Sequence, residues 1–420
     1  MNSIRKLMNH IKKSYTAYHA VSQSVEELEK DGFKPLEETA EWKIERGEKY
    51  YVIRDGSAMI AFDVGQKSGG FRIVASHTDS PCLKVKGNAV IAANGYTKLN
   101  VERYGGGLYY SWLDIPLKLA GRAVTYDPQS GKICSKNMVS DYTSVIPSLA
   151  IHFQRDANSS FTLNPQIDLQ PVVSLDPAFC LEDEDGVIEK DLFLVNAAEP
   201  YLAGAAEELL IAPRLDNLTS VFASVEALTN GGGEMGISMI YLADNEEIGS
   251  RTKQGAGSDF LRTTMARVAH ALGESIDLLL PRSFLVSCDN AHAIHPNHPE
   301  KSDTTEPVHL GGGVVIKHHA NQNYTTDAFS SAVLKAILQR AKVPYQDFYM
   351  RADMPCGGTL GAISSSQVSI RSVDIGLAQL AMHSATETMA AADYNTLVRA
   401  LAAFFAASIQ TKTYNQTRLN

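Results

Sequence analysis

Two adjacent glutamates, Glu246 and Glu247, stand three residues after the end of an apolar run of strand character over residues 237–243. At the end of a strand the backbone sends successive side chains to different sides, so two neighbouring carboxylates can take different roles. One carboxylate can bind a cation while the other accepts and returns a proton. A solvent-exposed turn is the alternative, because glutamate pairs are common on protein surfaces.

Other acidic and imidazole residues stand in the same kind of position, just after a predicted strand. They are His77, Asp79, Asp216, Asp289 and His383. Ligands of open α/β sheets bind outside the carboxyl ends of the strands, so these side chains can converge despite their large sequence separations. Histidine and carboxylate ligands without cysteine suit Zn²⁺, or a harder ion such as Mn²⁺ or Co²⁺. The pattern therefore predicts a metal site.

Each of these residues also has a purely structural interpretation. His77 could be a packed core histidine, but Asp79 lies on the same strand face and can hydrogen-bond the ring and fix its tautomer. Asp216 could cap the helix that begins near Leu218. A turn residue at Asp289 and a packed segment around His383 are the corresponding alternatives there.

A cluster of three histidines competes with this set. His292, His295 and His298 follow one another at three-residue spacing. Pro296 and Pro299 break any helix that would align the three rings. We therefore favour a local structural role, or a place in the lining of the nearby cleft, for this cluster.

The elements that must position these residues indicate an α/β fold. Strand-like runs alternate with helical patterns, which predicts a mixed, largely parallel sheet sandwiched by helices. Expected strands include residues 71–76, 278–288 and 372–375, and a helix is expected over residues 327–341. Near the N-terminus, Ser24 and Glu27 form a capping-box pattern that predicts the start of a second helix.

The middle of the chain has a different character, with short alternating segments, glycines and turn signals. A hairpin is expected there, with strands over residues 121–126 and 132–134. We therefore predict a discontinuous catalytic domain of residues 1–87 and 209–420. An inserted, mainly β domain of residues 88–208 interrupts it.

Composition narrows the class of protein and its surroundings. The 420 residues carry a formal net charge of -9 and no dense basic run, which argues against a nucleic-acid partner. The longest apolar run, residues 400–407, is far shorter than the ~20 residues of a membrane span. The five cysteines are scattered and include no Cys-x-x-Cys pair, which favours a reducing, cytoplasmic location.

At the residues named above the chain resembles the aspartyl aminopeptidase family of dinuclear zinc metallo-aminopeptidases, in its bacterial type. The blocks that carry the resemblance extend over nearly the whole chain. They are residues 74–81, 214–217, 244–250, 289–297, 315–317, 355–357 and 379–384. The segment between Pro296 and Gly311 departs from the pattern of the family.

The resemblance implies a dinuclear centre with two Zn²⁺ ions per subunit, for which Co²⁺ or Mn²⁺ could substitute. Asp216 would bridge the ions, His77 and Asp289 would complete one site, and Glu247 and His383 the other. Glu246 would be the general base that takes a proton from a water held between the ions, and Asp79 would join the catalytic set through His77. The implied reaction removes the N-terminal residue from peptides with a free N-terminus.

The resemblance also implies substrate and assembly features. Lys317 and Tyr324 would line the pocket for the first side chain of the substrate, and the lysine would meet its carboxylate, which predicts a preference for N-terminal Asp or Glu. The inserted domain would build dimers that assemble into a homo-oligomeric dodecamer. It would also lend a histidine to the neighbouring active site, and His152 is the candidate.

Two other readings stay open at this point. Related dinuclear folds include carboxypeptidases and amidohydrolases that remove N-acyl groups, and assays on free and N-blocked peptides separate these activities. A non-catalytic oligomeric assembly protein is the alternative from a different class. Such proteins usually lose a metal ligand or the base, whereas all six positions are filled here.

Overall fold

The structure is a computed structural model that describes residues 2–181 and 186–419. Its helices are distributed along the whole chain. They are α1 (Asn2–Lys13), α2 (Ala17–Lys30), α3 (Pro165–Asp168), α4 (Leu215–Thr229), α5 (Phe260–Ala271), α6 (Ile276–Leu279), α7 (Ala328–Arg340), α8 (Leu360–Gln367) and α9 (Ala391–Ala406).

The strands fall into three sheets. The first ten are β1 (Lys34–Leu36), β2 (Lys49–Arg54), β3 (Ala58–Val64), β4 (Lys67–His77), β5 (Cys82–Ala93), β6 (Tyr96–Tyr104), β7 (Leu117–Asp127), β8 (Lys132–Val139), β9 (Val172–Ser174) and β10 (Val187–Asn196). The others are β11 (Tyr201–Ala203), β12 (Leu209–Ala212), β13 (Met235–Ala243), β14 (Phe284–Cys288), β15 (Ala291–His292), β16 (Val314–His318), β17 (Tyr345–Tyr349), β18 (Arg371–Leu380), β19 (Glu387–Ala390), β20 (Ile409–Thr413) and β21 (Gln416–Leu419).

The largest sheet contains thirteen of the described strands and is mixed in direction. Its centre is parallel, because β4 lies between β13 and β14, and β14 pairs in parallel with β18. Apart from the first four residues of β4, these central strands are buried along almost their whole length, as expected for a parallel sheet covered on both faces. The predicted strands over residues 71–76 and 237–243 are confirmed within β4 and β13.

Helices cover both faces of this sheet, which confirms the predicted sandwich. On one face, α1, α2, α4, α7 and α9 contribute to a core that includes Leu7, Phe222 and Phe404. On the other face, α5, α6 and α8 contribute to a second core that includes Phe260 and Leu360. Burial of each such side chain favours the folded state by about 1.5–3 kcal/mol.

Two expected element boundaries are wrong. Residues 278–288 do not form one strand, because α6 and a short turn precede β14, which begins only at Phe284. Pro281 lies in that turn and has no N–H to donate to a central strand. The helix α2 begins at Ala17 rather than near Ser24. The Ser24 hydroxyl lies inside that helix and donates to the carbonyl of Ala20.

The second sheet is antiparallel and has the strand order β8-β7-β10-β5-β6-β9. It contains the predicted hairpin, since β7 and β8 pair on either side of a tight turn. It has its own apolar core, which includes Trp112, Leu117 and Leu194. Its strands extend from Cys82 to Asn196, whereas β11 and β12 belong to the large sheet. The division at residues 88 and 208 stays a prediction.

Across residues 2–181 and 186–419, none of the helices combines the length and the apolar character that crossing a membrane requires.

Candidate active site

Three neighbouring parallel strands bring most of the predicted site residues to one edge of the large sheet. The strand β4 ends at His77, and the Cα partner of His77 in β13 is Ala243, so the Glu246–Glu247 turn follows directly beside it. On the other side of β4, β14 ends at Cys288 and Asp289 follows. Parallel pairing therefore places a histidine and three carboxylates of distant sequence side by side.

Asp216 reaches the same place from a helix rather than from a strand. Its backbone at the start of α4 is not helical (φ -81°, ψ 107°), and its N–H donates to the Glu387 carboxylate at 2.9 Å. The N-cap residue of α4 is Arg214, and Asp216 Oδ1 has no hydrogen-bond partner among the described residues. The structure therefore does not support the capping role that we considered for Asp216, and it leaves the carboxylate free to face two histidines.

The side chains form two sets of ligand atoms that share Asp216. In the first, His77 Nε2 lies 3.4 Å from Asp216 Oδ1 and 3.5 Å from Asp289 Oδ1. In the second, His383 Nε2 lies 3.6 Å from Asp216 Oδ2 and 3.4 Å from Glu247 Oε1. Within each set the ligand atoms lie within 4.8 Å of one another. His77, Glu246 and Glu247 form a third such group.

These residues fit zinc on two structural grounds. First, Asp216 Oδ1 and Glu247 Oε1 are buried and have no hydrogen-bond partner among the described residues, which is costly unless another group satisfies them. Second, two ligand atoms bound tetrahedrally to one zinc ion at ~2.0–2.1 Å lie about 3.4 Å apart, which matches the separations in both sets. A mixture of imidazole and carboxylate oxygen is an ordinary zinc ligand set.

Asp79 connects the strand-end loops behind these ligands. Its Oδ1 accepts the backbone N–H of Glu246 at 3.1 Å, and its Oδ2 accepts that of Glu247 at 3.2 Å. His77 Nδ1 lies 3.4 Å from the Asp79 carboxylate and 3.1 Å from the Asp79 backbone carbonyl. Asp79 thus contacts the ring of His77, as the i, i+2 spacing predicts, and also holds the two glutamates.

Burial and the charges of neighbouring side chains strongly alter the pKa values of the residues in the cluster. Burial raises the pKa of Glu246 to about 7, with His77 opposing the shift and Asp289 adding to it. Burial raises the pKa of Glu247 well above its usual range, although His383 opposes the shift. For His383, burial lowers the pKa, but Asp216 and Glu247 outweigh burial and raise the value to about 10. The surroundings therefore favour positive charge between the carboxylates.

Lys317 lies beside the cluster and next to Tyr324. Lys317 is buried on β16, and its Nζ lies 3.8 Å from Asp289 Oδ2 and 5.0 Å from the centre of the Tyr324 ring. It donates one hydrogen bond, at 3.2 Å, to the carbonyl of Asn290. The ammonium group therefore stands next to the metal-ligand set without being part of it.

His152 is not brought to this cluster within one chain. It lies in an exposed turn between Ile151 and Phe153, which are 47% and 81% exposed. None of the ligand-atom groups found in the described part of the chain includes it, and the same is true of the competing cluster of His292, His295 and His298.

Two residues that contact the site were not predicted from the sequence. The carboxylate of Glu387 accepts the backbone N–H groups of both Asp216 and His383. The Tyr104 hydroxyl donates to Asp79 Oδ2 at 2.7 Å. Glu387 lies on the short strand β19 and Tyr104 at the end of β6, outside any motif, so no local pattern marks either of them.

A family model described as "Aminopeptidase I zinc metalloprotease (M18)" matches residues 10–185 and 180–405 of the chain. The chain belongs to the M18 family. A "Probable M18 family aminopeptidase 2" of Pseudomonas aeruginosa is 39% identical to this M18 aminopeptidase. The match covers 96% of this chain and 97% of the relative. A "Probable aspartyl aminopeptidase" of Ricinus communis is 33% identical, over 95% and 94% of the two chains.

Solved structures agree with this assignment. The chain resolved in the cryo-EM structure of the Ape4 and Nbr1 complex has a TM-score of 0.91 and 34% identity to this M18 aminopeptidase, and the match covers 96% of this chain and 85% of that one. A dodecamer of S. cerevisiae mApe1 has a TM-score of 0.84 and 28% identity, with 96% of each chain covered. The chain is thus a zinc-dependent aminopeptidase.

Proposed function

We propose that this M18 aminopeptidase removes one residue at a time from free peptide N-termini, prefers Asp or Glu there, and uses two zinc ions per subunit. The observation that carries the proposal is the sharing of Asp216 between two ligand sets. A single carboxylate with one oxygen toward each of two histidines is the arrangement expected of a bridging ligand.

In this proposal each zinc ion has three protein ligands. Asp216, His77 and Asp289 would hold one ion, and Asp216, Glu247 and His383 would hold the other. Zinc in such a pair supplies Lewis-acid chemistry to hydrolysis. Co²⁺ or Mn²⁺ can substitute, because neither set contains a thiolate.

Glu246 is the proposed general base. It lies beside His77 yet belongs to neither set that contains Asp216, so its carboxylate is available for proton transfer. It takes a proton from the attacking water and returns it to the departing amine nitrogen. Asp79 supports this role, because its carboxylate holds the backbone N–H of Glu246 and of its neighbour Glu247.

Lys317 is the proposed determinant of acidic preference. Asp289 carries the one described carboxylate within 4.0 Å of its ammonium group, and that carboxylate is assigned to zinc. Lys317 is then left to pair with the carboxylate of an N-terminal Asp or Glu, with Tyr324 forming the wall beside it. The Ricinus communis relative described as an aspartyl aminopeptidase supports this assignment.

Assembly is proposed to complete the site. The mApe1 relative forms a dodecamer, and we propose a dodecamer built from dimers for this chain. Exposed apolar residues around His152, including Leu149 and Phe153, suit a subunit interface. His152 would then reach the active site of a neighbouring copy. The five cysteines are all free, in keeping with the proposed cytoplasmic location.

The sharpest test of the chemistry compares Glu246→Gln with Glu247→Gln. We expect Glu246→Gln to keep both zinc ions and its melting temperature but to lose at least about three orders of magnitude in kcat. We expect Glu247→Gln to lose both activity and zinc. Near-normal turnover in Glu246→Gln, or the reverse pattern of zinc loss, would contradict the assignment of the two glutamates.

A chelator experiment tests the metal and the specificity together. Chelation should abolish activity, and addition of Zn²⁺, Co²⁺ or Mn²⁺ should restore it on aminoacyl substrates with free N-termini and not on N-blocked ones. Rates on a panel of substrates with Asp, Glu or Leu at the first position then measure the preference for acidic residues. Equal rates on Asp and Leu substrates would refute that preference while leaving the metal chemistry intact.

A further inference from the structure

The Asp79 carboxylate receives a hydrogen bond from outside the large sheet. Three of its contacts come from the strand ends, namely His77 and the backbone N–H groups of Glu246 and Glu247. A fourth contact, which is the shortest at 2.7 Å, is a hydrogen bond from the Tyr104 hydroxyl. Tyr104 is the last residue of β6 in the antiparallel sheet. The second sheet is therefore hydrogen-bonded directly to the residue that holds the glutamate turn.

A series of hydrogen-bonded side chains determines that Tyr104 is the donor and Asp79 the acceptor. The Thr252 hydroxyl donates to the side-chain oxygen Oδ1 of Asn245 at 2.8 Å, which leaves the side-chain nitrogen Nδ2 of Asn245 facing Tyr104. That nitrogen donates to the Tyr104 oxygen at 2.8 Å, so the single hydroxyl proton is directed to Asp79. Asn245 directly precedes Glu246. The hydrogen-bonded series Asn245–Tyr104–Asp79 therefore starts beside the glutamate turn and ends by holding that turn.

The surroundings keep the donor in place. Burial, together with Asp79 and Asp244, holds the pKa of Tyr104 far above its usual range, so the hydroxyl stays protonated. Its ring also packs edge-on against Phe193 of β10, with the ring centres 5.6 Å apart. A neutral donor to a buried carboxylate is one of the stronger protein hydrogen bonds.

We propose that Tyr104 is a positioning residue for the reaction: through Asp79 it fixes the turn that carries Glu246 and Glu247. The second sheet would then take part in catalysis within its own subunit, apart from any role in assembly. Tyr104 acts through Asp79, and nothing in this role requires contact with substrate or zinc. The proposal rests on the function proposed above for Glu246.

Tyr104→Phe tests this role, because it removes the hydroxyl and keeps the ring. We expect kcat to fall about tenfold, the lower end of the effect of losing one hydrogen bond to a charged group. We expect KM to stay within about twofold and zinc content to stay unchanged. The matched control is Tyr51→Phe, which removes a hydroxyl that also donates to a carboxylate at 2.7 Å, that of Glu29, far from the site.

Hydrogen exchange supplies a readout that does not depend on turnover. The amides of Glu246 and Glu247 donate to Asp79, so we expect the peptide covering residues 244–250 to exchange faster in zinc-loaded Tyr104→Phe than in wild type or Tyr51→Phe. This measurement does not depend on which residue is the base. The proposal for Tyr104 and the proposal for Glu246 can therefore fail separately.

Each other outcome overturns the proposal. Turnover equal to that of Tyr51→Phe would show that the hydroxyl does not matter to the reaction. A fall in kcat accompanied by loss of zinc, or by a lower melting temperature than the control, would assign Tyr104 a structural role. A fall in kcat without faster exchange at residues 244–250 would remove Asp79 and the glutamate turn as the route of its effect.

Discussion

His77 Nε2 lies 3.4 Å from Asp216 Oδ1, where the central strand β4 ends and helix α4 begins. The other oxygen of the same carboxylate lies 3.6 Å from His383 Nε2. A strand end supplies one histidine, a loop after β18 supplies the other, and the Asp216 carboxylate directs one oxygen to each. Asp216 therefore joins two half-sites that the sheet by itself would keep apart.

Substitution of Asp216 should affect both half-sites, and substitution of Asp289 only one. We expect Asp216→Asn to purify with less than one zinc ion per subunit and without activity. We expect Asp289→Asn to keep the ion held by Asp216, Glu247 and His383. Elemental analysis after gel filtration measures this difference. Equal zinc content in the two variants would contradict a bridging role.

Lys317→Met should invert the preference for the first residue of the substrate. We expect kcat/KM for Asp substrates to fall about ten- to a hundredfold, because the ion pair with the substrate carboxylate is lost, while kcat/KM for Leu substrates stays level or rises. Lys335→Met is the matched control, since Lys335 pairs with Asp347 on the neighbouring strand β17. A parallel loss on both substrates would point to a general structural role for Lys317.

His152 should act in the active site of a neighbouring subunit. We expect His152→Phe and Glu246→Gln to be inactive alone but active when the two chains are co-expressed with different affinity tags and purified as mixed oligomers. In a mixed dimer one site combines an intact Glu246 with the intact His152 of its neighbour. Mixed oligomers without activity would show that His152 has no role across the interface.

Stability should fall in mild acid partly because of His10. This ring is buried and stacked on Phe222 with the ring centres 4.4 Å apart. Burial lowers the pKa of His10 from 6.5 to about 4, although Glu27 opposes the shift, and nearby cations add to the lowering (Lys6, Lys30 and Lys13). A histidine whose folded pKa is depressed contributes stability above its unfolded pKa and loses that contribution as the pH falls toward 4.

His10→Phe keeps the stacking and removes the titration. As the pH falls from about 7 to about 4.5, we expect the wild type to lose about 2 kcal/mol of unfolding free energy relative to the variant. Urea unfolding of the zinc-free proteins measures the difference without interference from metal loss. A difference that is independent of pH would contradict the shifted pKa of His10.

The sequence could predict the fold class and the members of the ligand cluster because those features are local. Strand character before Glu246 and before Asp289 shows in the apolar residues themselves, and parallel strands bring their carboxyl ends to one edge. The boundaries that failed depended on packing. Ser24 has the residue type of a cap, but the helix begins earlier because Ala17, Tyr18 and Val21 are buried against the core.

Contacts between the two sheets could not be predicted in this way. Tyr104 and Glu387 carry no motif. Strand pairing places Tyr104 opposite Cys82 of β5, and it places Glu387 opposite Ala212 of the distant strand β12. The sequence by itself determined the aminopeptidase family, and it named the residues that are proposed to hold zinc. The distances from Asp216 to the two histidines and the support of Asp79 by the second sheet were decided only by tertiary structure, because such distances depend on how separate elements pack.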